Sequence, residues 1–191
     1  LGGAPAVVFA ATFDSKCAYL GSGLAEAGDA TDISGTVSSL GVRSTRPVVD
    51  EARRIYSVPF DGRLGAAGAG AFLVRGSTAA AGSSLEWMCR CLQASGADEL
   101  ERRALRAPPG ANGLSFLPYL AGERTPLWNA WASGALLGLR LHAGTDDAAR
   151  AVFEGLAFSV AHIVRVMQTH GVAPRTLRLA GGLARHGHVQ H

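Results

Sequence analysis

Lysine is almost absent from this chain: Lys16 is the only one among 18 basic residues, so arginine carries the positive charge. The basic side chains are also dispersed, with no run longer than Arg53-Arg54 or Arg102-Arg103, and 15 acidic residues leave a formal charge of only +3. Nucleic-acid binding needs a concentrated basic stripe, so no nucleic-acid partner is expected. Cysteine is scarce too. Cys17, Cys89 and Cys91 are an odd number, and residues two apart in a helical pattern diverge by about 200° around its axis. Cys89 and Cys91 therefore suit neither a disulfide nor a shared metal, and the three thiols are expected to be reduced and mostly buried, as in a cytoplasmic protein. No uninterrupted stretch reaches the roughly 18 apolar residues of a membrane span. The apolar opening, residues 4–11, lacks a basic leader and runs into Asp14 and Lys16, which argues against a signal peptide and for a protein with no membrane partner. His186, His188 and His191 are irregularly spaced around Gly187. They read as solvated helix-face histidines and not as a metal site.

What is present is a chain of 191 residues, 48% hydrophobic, long enough for one substantial core and read as one domain, 1–191. Leu1 in place of an initiator methionine, and a final stretch that breaks off inside a helical pattern, predict a fragment incomplete at its C-terminal end. Strands are predicted over residues 6–13, over 32–40 around a tight Gly35-Thr36 turn, and over 54–59, as an antiparallel meander. Residues 65–74 leave helix and strand in competition, and Phe72-Leu73-Val74 favours a buried strand. Ser83 opens a helix with Glu86 as its capping-box partner and with Leu85, Met88, Cys89 and Leu92 on one face. A short polar helix near residues 98–105 ends at Pro108-Pro109-Gly110. The strongest helical pattern begins at Thr145, carries Val152, Phe153, Leu156, Val160, Ile163, Val164 and Met167 on one face, and is closed by Gly171 and Pro174. A strand over Thr176–Ala180 then turns at Gly181-Gly182 into a last helix.

Behind the strand-like run of residues 114–120 and ahead of residues 133–139 stands Gly122-Glu123-Arg124-Thr125-Pro126. That string resembles the FGGY carbohydrate kinases, in their xylulokinase-like branch. The resemblance extends over nearly the whole chain and implies the C-terminal, nucleotide-binding half of a two-domain enzyme. The fold it implies is an actin-like (ribonuclease H-like) α/β domain with a mixed sheet, an antiparallel three-strand meander and flanking helices.

The resemblance also implies a site. Asp14, within Ala11-Thr12-Phe13-Asp14-Ser15-Lys16-Cys17-Ala18, matches the aspartate that ends the family's first strand and would be the catalytic base, although Ala11 stands where the family often has glycine. Gly35-Thr36 matches the phosphate-facing turn, with Val37 in place of a hydroxyl residue and Ser38 available to compensate. Gly82 and Glu86, in Ala81-Gly82-Ser83-Ser84-Leu85-Glu86-Trp87, would line the nucleotide pocket, with Trp87 in the core. Gly181 and Gly182 would approach adenine and its phosphates, with His186 near the ribose or base. Glu123 and Arg124 are expected to pair and hold their loop, and Arg150 to Gly155 to position the long helix.

The implied reaction is transfer of the γ-phosphoryl of ATP, as its Mg2+ complex, to a terminal hydroxyl of a ketopentose or polyol, a small-molecule sugar being the partner. The isolated fragment is expected to be inactive, and a homodimer is left open. An actin-like module that binds nucleotide or a protein without catalysis is the alternative. Asp14 separates the two.

Overall fold

The computed structural model describes residues 14–60 and 72–186, so the strand expected over residues 6–13 lies outside the described residues. Strand β1 (Asp29–Ser34) turns through Gly35-Thr36-Val37 into β2 (Ser38–Ser44), an antiparallel hairpin in which Ser34 faces Ser38 and Ala30 faces Val42. The stretch read as one strand around a Gly-Thr turn is therefore two. Strands β3 (Tyr56–Pro59), β4 (Phe72–Ser77) and β7 (Thr176–Ala180) complete a five-stranded sheet of order β3-β4-β2-β1-β7, with only the β1–β7 pairing parallel.

The mixed sheet and its antiparallel section are as expected, but three consecutive neighbours are β1, β2 and β4, with β3 displaced to the edge. Burial explains the order. Leu73 and Val74 of β4 are fully buried and require cover on both faces, whereas β3 is half exposed and contains Pro59, which cannot donate to a ladder and is tolerated at an edge.

Side-chain alternation splits the packing across the sheet. Ala30, Leu40, Val42 and Val74 point to one face, where they meet Ile163, Val166 and Met167 of α4 (Thr145–Thr169). On the other face Leu73 meets Tyr19 of α1 (Asp14–Gly21), together with Leu24 and Phe60. Helix α4 has the length and mean hydropathy of a membrane span, but its apolar stripe is taken up by the core and its first turn carries Asp146 and Asp147. Its N-terminal half packs Val152, Phe153 and Leu156 into a second cluster. That cluster holds Leu85 and Met88 of α2 (Gly82–Cys91), Leu100 of α3 (Ala97–Ala104) and Phe116 of β5 (Ser115–Leu117), which pairs with β6 (Ala135–Leu137). A 25-residue helix spans about 38 Å, enough to join the two clusters.

The cysteine expectation is corrected. Cys89 is buried on the α2 stripe, but Cys17 and Cys91 are exposed, Cys91 because two residues carry it round to the solvent side.

The start of β1 is latched by Asp29. Its carboxylate accepts the amides of Glu26 (3.0 Å) and Ala25 (3.1 Å) and the hydroxyl of Thr176 (2.9 Å), tying the β7 edge to the loop before β1. The Glu26 amide, then the Thr176 hydroxyl, hold its pKa down at about 2. A carboxyl depressed in the folded state adds stability above the unfolded value of about 3.9, and that contribution is lost as pH falls toward 2. Asp29→Asn is expected to lower the melting temperature at pH 7 and to flatten the acid limb between about pH 4 and 2. Melting curves over that range read it directly.

Gly155 lies inside α4, where alanine ordinarily gains about 1 kcal/mol. A Cβ there would lie 2.3 Å from the Phe116 carbonyl oxygen, so the helix touches β5 backbone to backbone. Overpacking of this kind outweighs propensity, and Gly155→Ala is expected to destabilise by about 2 kcal/mol in denaturant titrations.

Candidate functional site

The site is built on the hairpin turn. The Gly35 carbonyl accepts the Gly82 amide at 2.9 Å, and the Thr36 carbonyl accepts the Ala81 amide at 2.9 Å, the Ser83 amide at 3.3 Å and the Ser83 hydroxyl at 3.0 Å. A helix leaves its first amides without internal partners. In α2 these are filled by carbonyls of another element, and the expected Ser83–Glu86 capping box does not form: the cap position is Ala81, with no side-chain cap. Glu86 is thereby left exposed on the rim.

Two of the predicted glycines are required by this close approach. A Cβ on Gly82 would sit 2.6 Å from the Gly35 carbonyl oxygen, and one on Gly181 would sit 2.4 Å from the Ser34 carbonyl oxygen. Gly181 also has φ +91°, which disfavours any side chain. Gly35 and Gly182 differ, since a Cβ on either would meet nothing within 4 Å. They border open space.

That space is a cleft of about 690 Å3, a size that accommodates a small-molecule ligand. Gly35, Thr36, Gly82, Glu86, Gly182 and His186 all line it, although they come from the hairpin, α2 and the turn after β7. Gly181 is not among the lining residues and acts one step behind, through its contact with β1. The last turn of α2 adds Arg90 and the α2–α3 connection adds Gln93 and Ser95; sequence reasoning missed all three, the latter two because a connecting loop carries no periodic signal. The amides of Thr36 and Val37 donate to no backbone carbonyl among the described residues, and Thr36 is exposed.

His186 corrects an expectation. It is buried, not solvated, with Nδ1 2.9 Å from Glu101 Oε2 and its ring against Phe153. It still reaches the cleft wall. Ser38 cannot compensate for Val37, because its hydroxyl is buried and donates to Asp32. Asp32 is itself buried, and desolvation pushes its carboxyl above the usual range. An acid at an inward position of an alternating strand was the signal available for it.

Asp14 opens α1 and is exposed, one carboxylate oxygen accepting the Ser15 amide at 2.6 Å. Ser15 in turn accepts a hydrogen bond at 3.1 Å from the buried Arg75. Asp14 does not line the cleft. Glu123 also differs from expectation. Rather than pairing with the exposed Arg124 guanidinium, it is buried and accepts the backbone amides of Ala79 and Arg124, both at 2.7 Å, and burial raises its pKa. Its loop is tied to β4 by the Thr125 amide donating to Ser77 at 2.9 Å, so the pentapeptide braces the sheet. Arg150 and Glu154 pair at 2.7 Å, and Glu154 accepts the Gly110 amide, in keeping with a positioning role for that segment.

A mixed α/β domain with glycine turns gathered on one cleft defines a class, and the comparisons give it a family. Residues 31–191 match the profile of the FGGY family of carbohydrate kinases, C-terminal domain. The chain belongs to that family. It is 38% identical over 105 residues to the xylulose kinase of Escherichia coli (strain K12), covering 55% of this chain and 22% of that protein. It is 30% identical over 184 residues to the glycerol kinase of Thermus brockianus, covering 95% and 36%. The crystal structure of xylulose kinase from Bifidobacterium adolescentis superposes with a TM-score of 0.81 at 27% identity, over 93% of this chain and 33% of that one. This likeness gives the chain the actin-like fold expected from the sequence. The chain spans about a third of its relatives' length or less.

The two kinds of glycine make a test. Gly82→Ala is expected to lower stability by about 2 kcal/mol, because the new methyl group meets backbone, whereas Gly182→Ala leaves the denaturation midpoint nearly unchanged. Equal losses at both positions would show that the cleft edge is packed rather than open.

Proposed function

We propose that the protein carrying this chain transfers the γ-phosphoryl of ATP to a terminal hydroxyl of a ketopentose or polyol, a xylulose-like sugar first among them. The single observation that supports this reading is the convergence of Gly35, Thr36, Gly82, Glu86, Gly182 and His186 on one cleft. In this reading Gly35 and Gly182 admit the nucleotide where a side chain would block it, and the amides of Thr36 and Val37, without a carbonyl partner among the described residues, face phosphate oxygens. Gly181 keeps its turn against β1 so that Gly182 stays at the cleft. Glu86 and His186 bound the ribose and base side, with Glu101 fixing the imidazole.

Asp14 is the base. Its exposed carboxylate, at the head of a helix, accepts the proton of the sugar hydroxyl as that oxygen attacks phosphorus. Mg2+ bound with ATP neutralises charge on the transferring group. The sugar is gripped elsewhere in the protein, so this chain by itself binds nucleotide and does not phosphorylate. Closure around both substrates then excludes water and aligns the reacting atoms.

The deciding experiment is Asp14→Asn in the complete gene product, with D-xylulose as acceptor. Asparagine keeps the size of the side chain but cannot take up the proton. Turnover is expected to fall by about 10²–10⁴-fold while ATP affinity stays within about twofold. An unaltered rate would remove Asp14 from the mechanism and leave a nucleotide-binding module.

A further inference from the structure

The tip of the β1–β2 hairpin is polar on the face that α4 covers. On that face the Ala30–Val42 pair and Leu40 are apolar, yet Asp32, directly opposite Leu40, and the tip pair Ser34–Ser38 are polar, all of them buried. Both hydroxyls donate to the same carboxylate, Ser34 to Oδ2 and Ser38 to Oδ1. Ser34 and Ser38 are cross-strand partners and are the residues that flank Gly35-Thr36-Val37. The bonding continues outward. The Ser38 amide donates to Thr78 Oγ1 at 3.1 Å, the Thr78 amide returns to the Ser38 carbonyl at 3.0 Å, and the Thr78 hydroxyl donates to the Ala80 carbonyl at 3.2 Å. The next residue, Ala81, donates its amide back to Thr36. A closed ring of hydrogen bonds thus surrounds the turn, and Asp32 is its only acidic member.

We infer that Asp32 is a positioning residue for nucleotide binding: its carboxylate clamps both legs of the Gly35-Thr36-Val37 turn through Ser34 and Ser38 and holds in place at the cleft the Thr36 amide, which donates to no carbonyl among the described residues, with the Val37 amide next to it. This rests on the nucleotide reading of the cleft. An apolar side chain would fill the same position at no desolvation cost, as Leu40 and Val42 do beside it. A carboxylate, with one oxygen for each, takes both hydroxyls at once, which no apolar side chain can do. Burial raises the carboxyl pKa in line with that cost. The clamp acts on a turn that touches phosphate and not on the sugar, so its loss changes one substrate only.

The test measures MgADP affinity by titration calorimetry, KM for D-xylulose and the melting temperature, all on the complete gene product. Asp32→Leu is expected to weaken MgADP by about tenfold or more, from the loss of two hydrogen bonds to a charged group, with the D-xylulose KM and the melting temperature unchanged. Asp32→Asn, which still offers an acceptor and a donor to the two hydroxyls, is expected to return affinity to within about threefold. Should Asp32→Leu not fold, Ser38→Ala removes one strut and is judged by the same criteria. Gly182→Val is the control on the cleft itself. If Gly182→Val weakens MgADP and Asp32→Leu does not, the clamp is overturned and the cleft reading stands. If neither weakens it, the cleft reading falls and the clamp with it. If melting temperature and D-xylulose KM move together with MgADP affinity, Asp32 is a general prop of the fold and the inference is overturned.

Discussion

The carbonyls of Gly35 and Thr36 accept the first amides of α2, and the arrangement around the cleft depends on that junction. A helix start needs acceptors for amides that no turn of its own can satisfy. Here a hairpin tip supplies them, so the helix is held at a fixed distance and angle from β1 and β2. The junction requires glycine at 82, because the Gly35 oxygen occupies the place of a side chain. It also settles what the cleft can offer a ligand. The α2 amides of residues 81–83 are already used, which leaves the turn's own amides and the open edges at Gly35 and Gly182.

Behind that junction the protein is a sheet clamped by one long helix. Helix α4 touches the sheet through Ile163, Val166 and Met167 and touches α2, α3 and β5 through Val152, Phe153 and Leu156. The contact at Gly155 sets how closely it approaches β5. Asp29 and Thr176 fasten β7 beside β1, and that pairing brings Gly181-Gly182 next to Ser34 at the end of β1. Residues about 145 positions apart in the chain meet for this reason. The short pentapeptide 122–126 belongs to the same scaffold, since Glu123 and Thr125 bind backbone groups at the end of β4 and just beyond it.

Much of this was legible in residue order. The 3.6-residue period of α4 and the α2 stripe were legible because each helix buries a single continuous face, and the largely exposed strand Thr176–Ala180 was legible beside the Gly181-Gly182 turn that closes it. Glycine turns were recognisable for the same kind of reason: a backbone that must approach another backbone admits no other residue, as at Gly82 and Gly181. Capping was not legible. Ser83 and Glu86 have the spacing of a capping box, but the Thr36 carbonyl reaches the amides first, and no local pattern announces a partner 47 residues away. The Glu123–Arg124 pair misled in the same way, since adjacent opposite charges look like an ion pair until the buried amides near β4 claim the carboxylate.

The sequence by itself determined the mixed α/β class through periodic burial and, through motifs that resemble a known family, the family and six of the residues that border the cleft. Tertiary structure alone decided which strand stands at the edge, which glycines touch backbone and which face open space, and that His186 is buried against Glu101. It alone also placed Asp32, Ser34 and Ser38 in one buried cluster. Each of these depends on atoms brought together by strand pairing and helix docking between distant segments, and a linear pattern carries no record of such distances.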